Sequence, residues 1–235
     1  MKKYMVAGLA ISSFALVTPA SADLLSIEAE AQYWFASANG EHRVGDFTTV
    51  GNDWDSDGQM RLSLALEHFL PLIPNVKVSS QALEFDAARE GQFAARSDLG
   101  HETFTLYYAP LNNDLVTVQF GASLMRLRGS INEIGGESAA VSQSISEDIG
   151  MAYLRASTGL PFTGFSVVGQ GQFSIGSDND IYDIEAAVRY RFLDTVLDGH
   201  IAVGYRDMQM QLDKNTSFAT DYSFKGSFVS LMVRF

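Results

Sequence analysis

The sequence contains no cysteine. No disulfide can staple the fold and no lipobox cysteine can carry a lipid, so backbone pairing and packing must hold the chain. Basic residues are few. Lys and Arg number 16 against 28 Asp and Glu, a formal net charge of −12. An acidic chain with no basic patch excludes nucleic acid as a partner. After the first two dozen residues no apolar run approaches the ~18 residues that a membrane-spanning helix needs. Proline is scarce, with 5 in the chain. Four of them, Pro71, Pro74, Pro110 and Pro161, fall in short segments that read as turns, since proline is excluded from central strands.

The amino terminus reads as a targeting segment. Lys2 and Lys3 form a positive region, Met5 to Val17 is apolar apart from Gly8, Ser12 and Ser13, and Pro19 precedes Ala20-Ser21-Ala22. That order is a secretory signal peptide cleaved after Ala22, and its apolar run is too short for a transmembrane anchor. The expected organisation is a signal peptide over residues 1–22 and one domain over residues 23–235.

At the other end, Val229, Leu231, Val233 and Phe235 are apolar at every second position, with Phe228, Ser230, Met232 and Arg234 between them. A period of two is a strand signal. An alternating strand that ends on phenylalanine resembles the closing strand of bacterial outer-membrane β-barrels, where it is the signal read by the barrel-assembly machinery. An exported membrane protein without a spanning helix can cross only as a closed barrel, because lipid cannot satisfy backbone N–H and C=O groups.

The alternation predicts about ten strands; eight or twelve also fit, since single barrel strands signal weakly. They cover Leu25–Ala36, Gln59–Leu70, Val76–Phe85, Thr103–Tyr108, Leu115–Arg128, Ile149–Gly159, Phe165–Ile175, Tyr182–Phe192, His200–Leu212 and the segment ending at Phe235. Tight turns follow at Pro71–Asn75, Pro110–Asp114, Leu160–Gly164 and Leu193–Gly199. Longer polar loops are expected at Ser37–Gly58, Asp86–Glu102, Gly129–Asp148 and Asp213–Asp221, with a short one at Gly176–Asp180. Short periplasmic turns opposite longer outer loops are the asymmetry of an antiparallel transmembrane β-barrel, an all-β fold. Aromatics sort to the two ends: Phe69, Tyr107, Tyr108, Phe162, Phe165, Tyr190, Phe192 and Phe235 near the periplasmic side, Tyr33, Trp34, Phe35, Tyr182, Tyr222 and Phe224 near the outer side. Two such girdles suit the two membrane interfaces.

The Glu30-Ala31-Gln32-Tyr33-Trp34 stretch, the Glu67-His68-Phe69-Leu70-Pro71-Leu72-Ile73-Pro74-Asn75-Val76 turn and the terminal Val233-Arg234-Phe235 resemble a family of small outer-membrane β-barrel proteins from Gram-negative, mostly gammaproteobacterial, species. The resemblance extends over the chain from residue 23 onward. It implies location and fold, and it carries over no catalytic residues.

Three constellations carry candidate chemistry. Inward parity collects Glu28, Glu30, Arg61, Glu67, Lys77, Arg155, Asp183, Glu185, Arg189, Arg191 and Arg206 in the lumen. Enclosed charges must be paired or hydrated, so this set is a salt-bridge plug or a polar path for small solutes. The plug is favoured, because a ten-stranded interior is little wider than an eight-stranded one that side chains fill. Asp53, Asp55 and Asp57 before Gly58 match the opening of a Ca²⁺-binding loop, but Leu64 replaces the bidentate glutamate, so a solvated acidic loop is the simpler reading. Third, His42 and His101 with Asp53 or Asp55 at the outer rim would be needed for a rim hydrolase, yet no nucleophile motif accompanies them. His68 and His200 fall at the other end. The reading is therefore a monomeric, non-enzymatic outer-membrane barrel without a cofactor or a defined metal site. Its role is structural or surface interaction, with a narrow porin-like channel as the alternative and a rim hydrolase behind it. Expected partners are outer-membrane lipid and lipopolysaccharide, with the assembly machinery and periplasmic chaperones during biogenesis.

Overall fold

The structure is a computed structural model that describes residues 25–44, 47–54, 58–70, 72–89, 93–113, 115–135, 141–176, 179–212 and 218–235. The expected signal peptide lies outside the described residues. The strands are β1 (Leu25–Val44), β2 (Phe47–Trp54), β3 (Gln59–His68), β4 (Asn75–Gln81), β5 (Glu84–Arg89), β6 (Phe93–Asp98), β7 (His101–Asn112), β8 (Val116–Gly135), β9 (Val141–Gly159), β10 (Phe165–Ser174), β11 (Asp180–Asp194), β12 (Asp198–Leu212) and β13 (Phe218–Arg234). Every pairing is antiparallel, and β1 bonds to both β3 and β13, so the sheet closes on itself. The last rung is reciprocal: Phe235 N–H donates to Ile27 O at 2.9 Å, and Ile27 N–H to Phe235 O at 3.1 Å.

The wall is a closed ten-stranded barrel. β4 and β5 form one stave interrupted at Ala82 and Leu83, and β6 and β7 another interrupted at Leu99 and Gly100. Bonds from Ala82 N–H to Met60 O (2.9 Å) and from Leu99 N–H to Leu83 O (2.8 Å) carry the ladder past those interruptions. β2 continues the β3 side of the wall and pairs the outer half of β1.

Inside–outside alternation follows the expected parity. Ile27, Tyr33 and Phe35 on β1, Met60, Leu62, Leu64 and Leu66 on β3 and Ile184, Val188, Tyr190 and Phe192 on β11 are exposed, while Glu28, Gln32, Arg61, Asp183 and Glu185 beside them are buried. On β11 the outward apolar run from Tyr182 to Phe192 covers about 36 Å of strand, or about 25 Å of height at a 45° tilt. That is the height of a lipid-facing band.

Above this band the staves go on, and the expected loops are largely strand. β1 runs to Val44, β8 to Gly135, and β9 starts at Val141. Ser37–Gly58, Asp86–Glu102 and Gly129–Asp148 therefore hold most of β2, β5, β6 and the outer ends of β1, β8 and β9. The reason is a change of sign at constant parity. Outward on β8, Val116, Phe120 and Leu124 give way to Arg126 and Arg128; inward, Gln119 and Ser123 give way to Met125, Leu127 and Ile131. On β12, outward Val203 and Tyr205 are followed by Asp207, and inward Arg206 by Met208, Met210 and Leu212. The outer third of the barrel is thus built like a water-soluble protein, polar outside and apolar within.

The same switch corrects the outer aromatic girdle. Tyr33 and Phe35 face out, but Trp34, Tyr222 and Phe224 are each 0 % exposed inside the barrel. At the opposite end Tyr107 is also interior rather than interfacial, while Phe69, Phe165, Tyr190 and Phe192 face outward, with the Phe165 and Tyr190 rings in tilted contact at 4.8 Å. Gly226 makes room for this interior: a Cβ there would collide with the Phe35 carbonyl, and its own carbonyl accepts the Trp34 indole N–H at 3.2 Å.

Candidate functional site in the barrel interior

Three layers fill the interior, starting from the end that carries the short turns. In the first, Glu28 sits on β1 directly across from Arg234 of β13. Its two oxygens accept from Arg155 (3.4 Å) and Arg234 (2.8 Å). Arg234 is also 4.0 Å from Glu67. Glu67 Oε1 accepts from the Tyr107 hydroxyl at 2.9 Å and from the Gln119 amide at 3.0 Å, and the Tyr153 hydroxyl donates to Gln119 Oε1 at 3.0 Å. Glu28–Arg155 and the Glu67 bonds to Tyr107 and Gln119 join strands that share no backbone ladder.

The second layer is built on two arginines. Arg61 clasps Glu185 through both guanidinium nitrogens, one of them at 2.8 Å. Arg206 grips Asp183 in a fork, with two bonds of 2.8 Å, and reaches Glu185 Oε1 at 3.3 Å. Its remaining nitrogen donates to Gln81 Oε1 at 2.6 Å, and the guanidinium lies 4.3 Å from the centre of the Trp34 ring. Gln32 adds a bond to Glu185 at 3.3 Å. Planar forks on carboxylates and stacking on an aromatic face are what arginine does and lysine does not.

Trp34 begins the third layer. With Leu83, Phe85, Leu99, Leu127, Ile131, Met208, Met210, Tyr222 and Phe224 it belongs to one apolar cluster that closes the outer part of the interior. Phe85 meets Tyr222 at 5.1 Å and Phe224 at 5.2 Å, both edge to face. Such pairs add about 0.5–1.5 kcal/mol each beyond the area they bury.

Most of the expected lumen set therefore lies in one enclosed space, but its members are not equivalent. Glu28, Arg61, Glu67, Arg155, Asp183, Glu185 and Arg206 are ion-paired, and Lys77 donates to Gln170, at 3.4 Å. Glu30 and Arg189 line a small cavity between the first two layers. Arg191 is a correction: it stands at the rim and pairs with Asp194, the last residue of the same strand, at 3.3 Å, because the strand has already left the enclosed section. Arg234 was missed. Its signal is its parity, inward beside an outward Phe235. The bridging residues Tyr107, Tyr153, Gln32 and Gln119 are absent from the expected set, and Tyr107 is expected at the membrane interface instead.

The other candidates fare differently. Asp53 lies in strand β2, not in a loop, while Asp55 and Asp57 lie outside the described residues. Among the described residues no group of three His, Asp or Glu side chains could hold a metal ion. His101 is not at the rim. It is buried inside the wall with Nδ1 on Leu99 O at 3.1 Å, and Glu102 next to it points outward. The backbone of His42 pairs with Thr49 and Thr220; nothing is described of its side chain. Outside, just above the apolar band, Glu102, Arg126 and Asp148 are register neighbours, and Asp148 pairs with Arg128 at 2.8 Å. A hydrogen bond to Asp207, 3.1 Å away, raises the Lys225 ammonium above its ordinary value.

No family model and no curated protein sequence matches the chain. Among solved structures, the outer membrane protease OmpT from Escherichia coli superimposes with a TM-score of 0.51 at 10 % identity, over 89 % of this chain and 96 % of that one. The beta domain of the Bordetella autotransporter BrkA gives 0.47 at 11 % identity, over 91 % and 99 %. A Pseudomonas aeruginosa FadL homologue gives 0.33 at 8 % identity, over 91 % and 90 %. At such identities the OmpT likeness bears on fold alone, and the fold is that of outer-membrane β-barrels.

Proposed function

We propose that this chain is an integral outer-membrane protein, exported with a cleaved leader, whose barrel is a sealed, monomeric support for a structural or surface-interaction role. It is read as neither a pore nor an enzyme. The observation that carries the reading is the pairing of a cross-linked ionic layer with an apolar plug. Water and ions would have to pass Arg61–Glu185–Arg206 and then the cluster around Phe85 and Phe224. The first step breaks charge-assisted bonds in a confined space, and the second removes the ion's hydration among side chains that offer it nothing. A closed interior leaves the outward-facing rim as the working surface, with lipopolysaccharide as its immediate neighbour. The resemblance of the Glu67–Val76 turn and of Val233-Arg234-Phe235 to small barrels of Gram-negative, mostly gammaproteobacterial, species supports the same location. OmpT is a protease, but a likeness of fold brings no protease chemistry with it, and the buried position of His101 argues against a rim dyad built on it.

The test is conductance. Refolded chain inserted into planar bilayers is expected to be silent, and proteoliposomes containing it are expected not to swell in small sugars or amino acids. Discrete single-channel openings that change on Glu185→Gln would replace the sealed barrel by the narrow channel.

A further inference from the structure

We propose that the short-turn end of the barrel is itself a lipid-binding surface, its turn tips seated at the headgroup–acyl boundary of the nearer leaflet and not in periplasmic water. The inference rests on the outer-membrane reading and goes beyond it. The starting point is what the tips carry. The turn between β3 and β4 exposes Leu72 (89 %), that between β7 and β8 exposes Leu115, that between β9 and β10 exposes Phe162, and that between β11 and β12 exposes Val196 (74 %). At the fifth position, where β1 begins and β13 ends, Leu25 and Phe235 are exposed. Turns that stand in water draw on Gly, Asn, Asp, Ser and Pro, each for a conformational reason that a leucine or valine does not share. Phe69–Pro74 and Leu160–Gly164 contain no charged residue.

Two features choose lipid over a protein partner. The tips form a ring, since these five ends follow one another around the wall and each carries an exposed apolar side chain. A protein docked on one side would leave most of that ring in water, whereas a bilayer meets all of it. The ring is also continuous with the lipid-facing band, through outward Phe69, Phe165 and Phe192 near the strand ends. Polar groups among the tips set the depth. Arg191 and Asp194, paired at 3.3 Å at the end of β11, suit the headgroups and exclude the acyl core. The headgroup layer adds about 5–7 Å on each side of the hydrocarbon, the reach of a tight turn one or two residues past its strands. The backbone there draws little on water. Asn75 Oδ1 accepts from the His68 N–H at 3.0 Å, Asn113 Oδ1 from the Leu115 and Val116 N–H groups at 3.0 and 2.9 Å, and Thr163 Oγ1 from the Phe165 N–H at 3.2 Å.

The lack of cysteine makes a single label unique. Leu72→Cys, Leu160→Cys and Val196→Cys, each carrying a nitroxide, are refolded into vesicles of phosphatidylethanolamine and phosphatidylglycerol. Ser144→Cys, exposed on the outer part of β9, is the reference in water. Heat-modifiable mobility selects folded chain, and vesicle flotation selects inserted chain. The readout is the accessibility of each label to oxygen relative to a water-soluble nickel complex. The three tip labels are expected to give a ratio several-fold above that at Ser144. Ratios at the Ser144 level for two or more tips, in chain that folds and floats, overturn the proposal and leave the ring to a periplasmic protein. Folded chain that does not float overturns the membrane reading as well. The three labelled positions are exposed and lie in three different turns, so one variant that fails to fold leaves the other two to decide.

Discussion

Replacing Glu185 with glutamine keeps the side-chain volume and removes the carboxylate on which Arg61 closes both of its terminal nitrogens. Arg206 keeps its fork on Asp183, so the damage falls on Arg61. That guanidinium is buried, and its Nε has no hydrogen-bond partner among the described residues even in the wild type. Breaking one side of a buried ion pair costs about 3–5 kcal/mol, most of it from the charge left behind. The surviving fork on Asp183 puts the expectation for Glu185→Gln near 3 kcal/mol. The double replacement Arg61→Met with Glu185→Met removes both charges and fills the space. It is expected to lie within about 1 kcal/mol of wild type or to exceed its stability, as apolar replacements of buried pairs do. Urea titration of the barrel in lipid vesicles would measure this, followed by heat-modifiable gel mobility and by the fluorescence of Trp34, which lies against Arg206. A loss below about 1 kcal/mol for Glu185→Gln would refute the reasoning. It would mean that Arg61 is hydrated in place and that the ionic layer is open to water, and the sealed reading would fall with it.

Gly226→Ala is expected to destabilise the barrel by more than about 2 kcal/mol in the same titration, because the new methyl must displace the Phe35 carbonyl of the adjacent stave. Phe162 holds a φ of 64° at the third position of a Leu160–Thr163 turn and is fully exposed, with Pro161 before it. Since glycine is the favoured residue there, Phe162→Gly in micelles is expected to be neutral or stabilising by up to about 1 kcal/mol, and a clear loss would show that the ring has a hidden partner. Phe235→Ser keeps the last backbone rung but removes the terminal ring; it is expected to slow assembly into the outer membrane, and unchanged yield of heat-modifiable barrel would contradict the role assigned to that strand.

The lipid-facing half of this fold was legible because one rule held along whole strands. Outward Leu62, Leu64 and Leu66 beside inward Arg61, Ser63 and Glu67 admit only one phase. The outer third obeyed the same geometry with the opposite chemistry, and so it read as loop. On β13, Ser223 and Lys225 outside and Tyr222 and Phe224 inside keep the alternation that Val229 and Leu231 set up. A search for apolar-out segments stops at Val229. The interior charges were legible as a set but not as bonds. Which carboxylate meets Arg206 depends on the register of β12 on its neighbour β11, where Arg206 stands opposite Glu185 and close to Asp183, and parity within one strand contains no such term. The Glu185–Arg61 pair spans 124 positions of sequence, and its partners follow only from closure.

The inversion of polarity also sets a ruler. Outward Phe104 is followed by Glu102, Leu124 by Arg126, and Tyr205 by Asp207, all at the same edge of the band. Sliding the barrel inward by one outward-facing position, about 5 Å of height at a 45° tilt, would carry these three charges into acyl chains. Sliding it the other way would expose the aromatic and leucine rows to water. A barrel with a graded edge could settle at several depths, whereas this one has a single step. Where the surrounding hydrocarbon is thicker or thinner than about 25 Å, the lipid must stretch or compress to meet that step, and such mismatch favours patches of membrane already matched to it.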